Sequence, residues 1–298
     1  MSLDLVVLGN LLVDDVVLPD GRTRMGEPGG ATLYASLAAA LWGLRTGVVT
    51  WRGDDYPAWA LEALAARGVD ISGARGLGRP GLRTWLLYEG RRRRVVHRLD
   101  GPSHAEVSPT ADLLPAGWEK ARAFHLAPMP FEIQRGLVQS LSSREGAFLS
   151  LDPYVLLHAE TIEAWREVVG RVDAFFLSED EAEGAAEDPR PALEPLAGGR
   201  LRLLAFKRGQ RGGLLYDVGT GRWREWPARA VRVVDPTGAG DAFAAGFLAG
   251  WLGGDPIERA LLRGVVAASF AIEDWGPAGL LAATREQAEA RLAEWCRL

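Results

Sequence analysis

Short apolar runs alternate with longer helix-like segments along most of the chain. Leu3 to Leu8, Arg45 to Trp51, Arg122 to Leu126, Ala147 to Leu151, Ala174 to Leu177 and Leu201 to Phe206 have the length and apolar character of buried strands. Ala31 to Leu41, Pro57 to Arg67, Phe131 to Ser142, Thr161 to Val169 and Glu179 to Ala186 read as the helices between them. Such alternation predicts a parallel sheet with helices on both faces.

Two regions break the rhythm. Leu82 to Tyr88 and Arg94 to Leu99 read as strands joined directly by a Glu-Gly-Arg turn, and they predict a small β layer set against the main domain. Leu214 to Tyr216 and Arg222 to Trp226 predict a second hairpin around Gly219 to Gly221. The last third is helical, over Ala239 to Trp251, Pro256 to Ile272 and Thr284 to Trp295, with Pro256 and Thr284 suited to first-turn or cap positions. There is no internal repeat and no long low-complexity linker.

Composition narrows the function classes. The chain has 298 residues, 48% apolar and 24% charged, enough for one large α/β unit with a substantial core. A formal charge of -5 supplies no basic field for nucleic acid or an anionic membrane, so neither is an expected partner. The basic run Arg91 to Arg94 lies between two expected strands and reads first as a solvated turn, with phosphate binding as the alternative. A single cysteine, Cys296, excludes an intrachain disulfide and a cysteine-based zinc site. The start lacks a basic n-region, and no apolar run approaches the ~18 residues of a membrane span, so the cytoplasm is the expected location. The four histidines are scattered, and His97 and His125 read as packed or solvent-bonded.

Candidate chemistry concentrates in Val231 to Gly250. A β-branched run ends at Asp235-Pro236, three small residues follow, and a helix opens near Asp241. Gly238, Ala239 and Gly240 allow close backbone approach, and their amides would lie at the positive end of that helix, a ready anion site. Asp241 in the first turn could accept a proton from an attacking hydroxyl while the amides stabilise a transferring phosphoryl group. Taken singly, an acidic first turn and a Gly-x-Gly are ordinary helix punctuation. No Gly-Lys-Ser/Thr follows, so the segment is not a Walker A loop.

Asp235-Pro236-Thr237-Gly238-Ala239-Gly240-Asp241 resembles the Asp-Thr-x-Gly-Ala-Gly-Asp motif of the PfkB (ribokinase-like) carbohydrate kinases, with Pro236 in place of the usual Thr. The resemblance implies that Asp241 is the catalytic base, that Gly238, Ala239 and Gly240 form the anion hole, and that Thr237 lies on the nucleotide side. Further segments match in the family's order. Asp14, after the first strand, matches an aspartate that binds substrate hydroxyls, and Gly29-Gly30 matches a glycine pair that touches substrate. Tyr34 stands where the family often has Asn, and it joins the implied substrate site. Ser178 and Glu181 resemble an Asn-x-x-Glu segment, with Ser in place of Asn; Glu181 is then implied to organise Mg²⁺ through water. The spacing of Ser178 and Glu181 is also that of a plain capping box. Lys207, Gly209 and Gly212 resemble a Thr-x-Gly-x-x-Gly nucleotide loop, with Lys207 replacing Thr. Ala267 to Gly276 is similar to a segment that lines the adenine pocket and, in many members, part of a monovalent-cation site, which brings K⁺ into consideration. Gly53-Asp54-Asp55 and Gly68-Val69-Asp70 resemble recurrent structural segments.

The matches run from Leu3 to about Gly276. They imply one ribokinase-like three-layer α/β/α domain over residues 1–298, with a central, mostly parallel sheet and lid strands at about 10–25 and 82–100. The implied activity is transfer of the γ-phosphoryl of ATP, with Mg²⁺, to a hydroxyl of a sugar or sugar-like molecule. A nucleoside or cyclitol kinase remains an alternative, as does a non-catalytic regulatory protein of the same fold. The lid strands imply a homodimer.

Overall fold

The computed structural model of the chain describes residues 2–89, 92–144, 146–154, 161–182 and 188–297. In chain order, β1 (Leu5–Leu8), β2 (Leu12–Val17) and β3 (Thr23–Gly29) precede α1 (Ala31–Leu41). Next come β4 (Thr46–Arg52), α2 (Ala58–Ala66), β5 (Asp70–Gly76), β6 (Arg83–Glu89), β7 (Arg92–His97) and the short α3 (His104–Val107). The middle of the chain holds β8 (Ala123–Leu126), α4 (Phe131–Leu141), β9 (Phe148–Leu151), α5 (Ile162–Val169), β10 (Ala174–Ser178) and α6 (Arg190–Leu193). The last third runs through β11 (Leu203–Lys207), β12 (Gly213–Asp217), β13 (Arg222–Trp226), α7 (Ala239–Leu252), α8 (Ile257–Ile272), α9 (Ala278–Ala282) and α10 (Arg285–Trp295).

Nine strands form the main sheet in the order β13-β12-β11-β10-β9-β8-β1-β4-β5. From β11 to β5 every neighbouring pair is parallel; β12 and β13 add an antiparallel hairpin at one edge. Alternation of side chains divides the interior in two. Leu5, Val7, Val48, Phe176 and Leu203 pack with α1, α7 and α8 on one face. Val6, Leu8, Val49, Phe175 and Leu204 pack with α4 and α5 on the other. The parallel, two-faced sheet expected from the apolar runs is therefore present, and helices cover both of its faces.

A separate four-stranded sheet has the order β3-β2-β6-β7. It contains the hairpin expected around residues 82–99; the turn expected at Gly90-Arg91 lies outside the described residues. Val16, Leu18 and Leu86 pack beneath it against Tyr88, Val95 and Trp275, which ties this layer to the chain after α8. The second expected hairpin does not belong to this layer. Its first strand hydrogen-bonds to β11, because Leu214 and Leu215 continue the two-faced apolar pattern of the main sheet.

Other expectations are revised. In place of a helix over Glu179 to Ala186 there is a single 3₁₀ turn at Glu179–Glu181, and residues 183–187 lie outside the described part. The Ser178 amide donates to Glu181 Oε2 at 2.6 Å, which closes that turn locally. Strand β5, polar and largely exposed at the sheet edge, carried no apolar alternation to announce it. The β-branched Val231 to Val234 run forms no strand; Val234 instead donates a backbone hydrogen bond to Ile272.

Trp165 of α5 is fully buried between Phe131 and Phe175, with ring centroids 4.8 Å and 5.8 Å away. Trp165→Ala should cost about 3–5 kcal/mol, read as a lowered midpoint in urea denaturation.

Candidate active site

Parallel strands deliver their carboxyl ends to one side of the sheet, and loops leaving those ends build the site. Asn10 follows β1, Asp152 follows β9, and Ser178 and Lys207 end β10 and β11. All four line one cavity of about 1320 Å³, together with Asp14, Gly30, Tyr34, Glu181, Gly209, Gly212 and Thr237 to Asp241. Of the residues implied to form the substrate, anion, nucleotide and Mg²⁺ sites, Gly29 alone does not line it. A Cβ on Gly29 would run into the Asp14 carboxylate, so this glycine makes room for Asp14 to sit where it does.

The Asp235 to Asp241 loop is shaped by buried hydrogen bonds. Asp235 has no exposed surface; its Oδ1 accepts from the Thr237 amide at 3.0 Å and its Oδ2 from the Gly276 amide at 3.1 Å. Gly238 caps α7 in the left-handed region, with φ of 76°, and a Cβ there would overlap the Tyr34 ring. Tyr34 belongs to α1, whose own cap, Gly30, has φ of 99° and lies against the Asn10 carbonyl. Two helix N-termini are thereby brought against the same cavity, separated by one aromatic ring. A phenol at position 34 fits because the residue facing it has no side chain.

Two of the cations lining the site, Lys207 and Arg93, act on its buried carboxylates. Lys207 Nζ donates to Asp152 Oδ2 at 2.5 Å, and a Cβ on Gly240 would lie 3.1 Å from that same nitrogen. The pair is well enclosed, with the Lys207 side chain 12% exposed and that of Asp152 1%. Burial pushes the Asp241 carboxyl up to about 6, while Lys207 and Arg93 hold it down and Glu181 pushes it further up. Burial likewise drives Asp14 well above the ordinary carboxylate range, against the pull of Arg93. Oδ1 of Asp14 and Oδ1 of Asp152 are both buried without a hydrogen-bond partner among the described residues. Unpaired buried oxygens facing a cavity are costly unless a ligand supplies the missing donor. Thr237 Oγ1 sits 2.9 Å from the Tyr88 hydroxyl, a link between the anion loop and the small sheet.

The structure also brings in residues that the sequence reading passed over. Arg93, assigned there to a solvated turn, lies on β7 and lines the cavity; Arg91 lies outside the described residues. His97 lines it too and is bonded on both ring nitrogens, whereas His125 is buried in the main sheet beside Ser150. Asp152 was legible in principle, as a carboxylate immediately after a buried parallel strand. Arg93 and His97 carried no local signal, because strand pairing decides which way they face. Among the described residues no cluster of three or more His, Cys, Asp or Glu side chains is placed to hold a metal. Glu181, a hard oxygen donor at the cavity wall, fits an ion such as Mg²⁺ that takes one or two carboxylates and completes its shell with waters and phosphates.

The fold and cavity define an α/β protein with a glycine-capped helix start and a buried carboxylate, Asp241, in its first turn. The chain belongs to the pfkB family of carbohydrate kinases, whose family model matches residues 3–283. It is thus a kinase that uses ATP to phosphorylate a sugar or nucleoside. A cytidine kinase from Thermococcus kodakarensis is 35% identical over 281 residues, spanning 92% of this chain and 98% of the relative. A fructokinase from Klebsiella pneumoniae is 30% identical, spanning 82% and 83%. Among solved structures, an E. coli putative ribokinase II in complex with ATP and Mg²⁺ superposes with a TM-score of 0.78 at 20% identity, covering 99% of this chain and 100% of that one. A Burkholderia thailandensis nucleoside kinase in complex with inosine gives 0.76 at 20% identity, covering 98% and 97%. At that identity the structural likeness speaks to the fold.

Two outcomes follow. Gly238→Ala forces a strained φ and a collision with Tyr34, so turnover should fall at least ~10-fold with a lowered melting temperature. Asp241 ionises at a higher pH folded than unfolded, so its stabilising contribution is complete below about pH 4 and lost as pH rises through about 6. Asp241→Asn should therefore stabilise the fold at pH 8 by about 1–3 kcal/mol and by much less at pH 4, measured as the difference in unfolding free energy.

Proposed function

We propose that this enzyme transfers the γ-phosphoryl group of Mg²⁺-ATP to a primary hydroxyl of a nucleoside, with Asp241 as the base. The observation that carries the reading is convergence. Asp14, the Gly238 to Gly240 loop and Asp241 come from opposite ends of the chain and line one cavity. The 35% identity with a cytidine kinase over nearly the whole of both chains supports a ribose-bearing substrate.

In this mechanism Asp14 accepts hydrogen bonds from the ribose hydroxyls, which supply the donors that its unpaired oxygen lacks. Tyr34 and Gly30 shape the wall beside them. The reacting hydroxyl gives its proton to Asp241 as the bond to phosphorus forms. Amides at the start of α7, with Lys207 and Arg93, stabilise the charge on the phosphoryl oxygens. Ser178, Lys207, Gly209, Gly212 and Thr237 form the nucleotide side. Glu181 would help hold Mg²⁺, which when bound would supply further neutralisation of phosphate charge. A monovalent cation such as K⁺ near the Asp235–Gly276 junction would add to the field at the same loop.

The four-stranded sheet acts as the lid over the substrate within a single domain spanning 1–298, and Tyr88 couples it to the anion loop. Trp85 and Val96 are register partners on the face away from Thr84 and His97, and both remain exposed, which favours a homodimer built on the outer face of the lid. The expected location is the cytoplasm.

ADP release is the test, with Mg²⁺-ATP against nucleosides, free sugars, sugar acids and cyclitols. Turnover should be highest on a nucleoside and should fall at least ~10²-fold in Asp241→Asn. A wild-type pH profile should lose activity below about pH 6, as the base becomes protonated. Turnover on a cyclitol or free sugar alone would replace the nucleoside, and binding without any turnover would favour a regulatory protein.

A further inference from the structure

The cavity wall beyond Asp14 holds a group of polar rings that the phosphoryl-transfer chemistry does not use. Asp14, Thr84 and His97 are register neighbours across β2, β6 and β7, so their side chains share one face of the small sheet. Two strand spacings separate Asp14 from His97, about 10 Å. That is farther than a single sugar ring extends from a carboxylate bonded to its hydroxyls. His97 Nδ1 lies 3.1 Å from Thr84 Oγ1, and its Nε2 lies 2.9 Å from the Tyr154 hydroxyl. The His104 ring stands edge-on to both neighbours, 5.1 Å from His97 and 4.6 Å from Tyr154. Asn10, Thr84, His97, His104 and Tyr154 all line the cavity.

Hydrogen bonding settles the tautomer of His104. Asn10 Nδ2 donates to the Val107 carbonyl at 2.8 Å and lies 3.2 Å from Ser108 Oγ. A carbonyl only accepts, so the Asn10 amide must present its NH₂ to Val107 and its Oδ1 to His104. Oδ1 also only accepts, so the His104 nitrogen 3.0 Å from it, Nε2, carries the proton. Burial, reinforced by the neighbouring His97, lowers His104 to about 3, which keeps the ring neutral at physiological pH. Nδ1 is then a lone-pair acceptor. It is buried and has no hydrogen-bond partner among the described residues.

We propose that His104 Nδ1, held in place by Asn10 and walled by His97 and Tyr154, accepts a hydrogen bond from the amino edge of a nucleobase. This rests on the nucleoside reading above and assigns its base-recognition subsite. Asp14 holds the ribose, and the ring cluster about 10 Å along the same sheet face meets the base. A planar heterocycle suits the subsite because it presents faces and edges to aromatic rings and an N–H donor to an acceptor with no other partner. His97 and Asn10 act here as positioning residues, since each is already committed to protein partners.

Removing the ligand's donor tests this without altering the protein. Cytidine is compared with pyrimidin-2-one riboside, and adenosine with purine riboside; each second member lacks the exocyclic amine. Binding is read by calorimetry and transfer by ADP release. For the better substrate of the four, its des-amino analogue should bind about 10–100-fold more weakly, because the buried acceptor is left unpaired. His104→Phe should bring that ratio close to one, and His104→Asn, whose amide oxygen can stand near the former Nδ1, should restore part of it. Equal binding within both pairs by the wild-type protein would overturn the proposal, as would a His104→Phe variant that weakens both members in proportion. If the pairs differ as expected but nothing is phosphorylated, the subsite stands and the kinase mechanism falls. If a free sugar is phosphorylated and no nucleoside binds, the mechanism stands and the subsite falls.

Discussion

The contact on which the site depends is the Tyr34 ring lying against Gly238. It joins α1, capped by Gly30, to α7, capped by Gly238 and carrying Asp241 in its first turn. The approach is possible only because residue 238 has no Cβ and can adopt a left-handed conformation. Any side chain there would push the two helix termini apart. The distance between Asp14 and Asp241 would change with them, and positioning supplies most of the catalysis in phosphoryl transfer. Tyr34 is fully enclosed and belongs to the larger of the two cores, so packing of the whole sheet face stands behind this one contact.

Around that contact the protein holds more charge than a buried site tolerates without compensation. Asp14, Asp152 and Asp241 are each pushed toward the neutral form by burial, and Lys207 and Arg93 pull them back. The Lys207–Asp152 pair is anchored at the ends of two parallel strands, where the backbone cannot relax to bring in water. Such a pair contributes little net stability but holds a cation at a defined place beside Gly240. Unpaired oxygens on Asp14 and Asp152 mark the same trade: polar capacity is reserved for a ligand at a cost to the fold.

The small sheet contributes a different kind of order. Its inner face presents Asp14, Thr84 and His97 in one row, and its outer face presents Trp85 and Val96. A shift of one residue in the pairing of β6 would exchange the two sets and leave the cavity with an indole in place of Thr84. Register in this layer therefore selects the chemistry of the substrate wall, and the tautomer of His104 follows from the Asn10 amide behind it.

By itself the sequence determined the parallel sheet, the helices on both of its faces and the opening of α7 near Asp241. These rest on local patterns: apolar runs of strand length, helical spacing, and glycines next to an aspartate at a helix start. Element ends moved by no more than a residue or two: α1 is found where expected, over Ala31–Leu41, whereas β11, expected at 201–206, runs over Leu203–Lys207. The second hairpin's place at the edge of the main sheet, the position of Arg93 on the cavity wall, the Lys207–Asp152 pair and the ring cluster around His104 were decided only by tertiary structure. Each depends on strand order, register or a contact between residues far apart in the chain, and periodicity along the chain carries no information about which distant strand a segment will pair with.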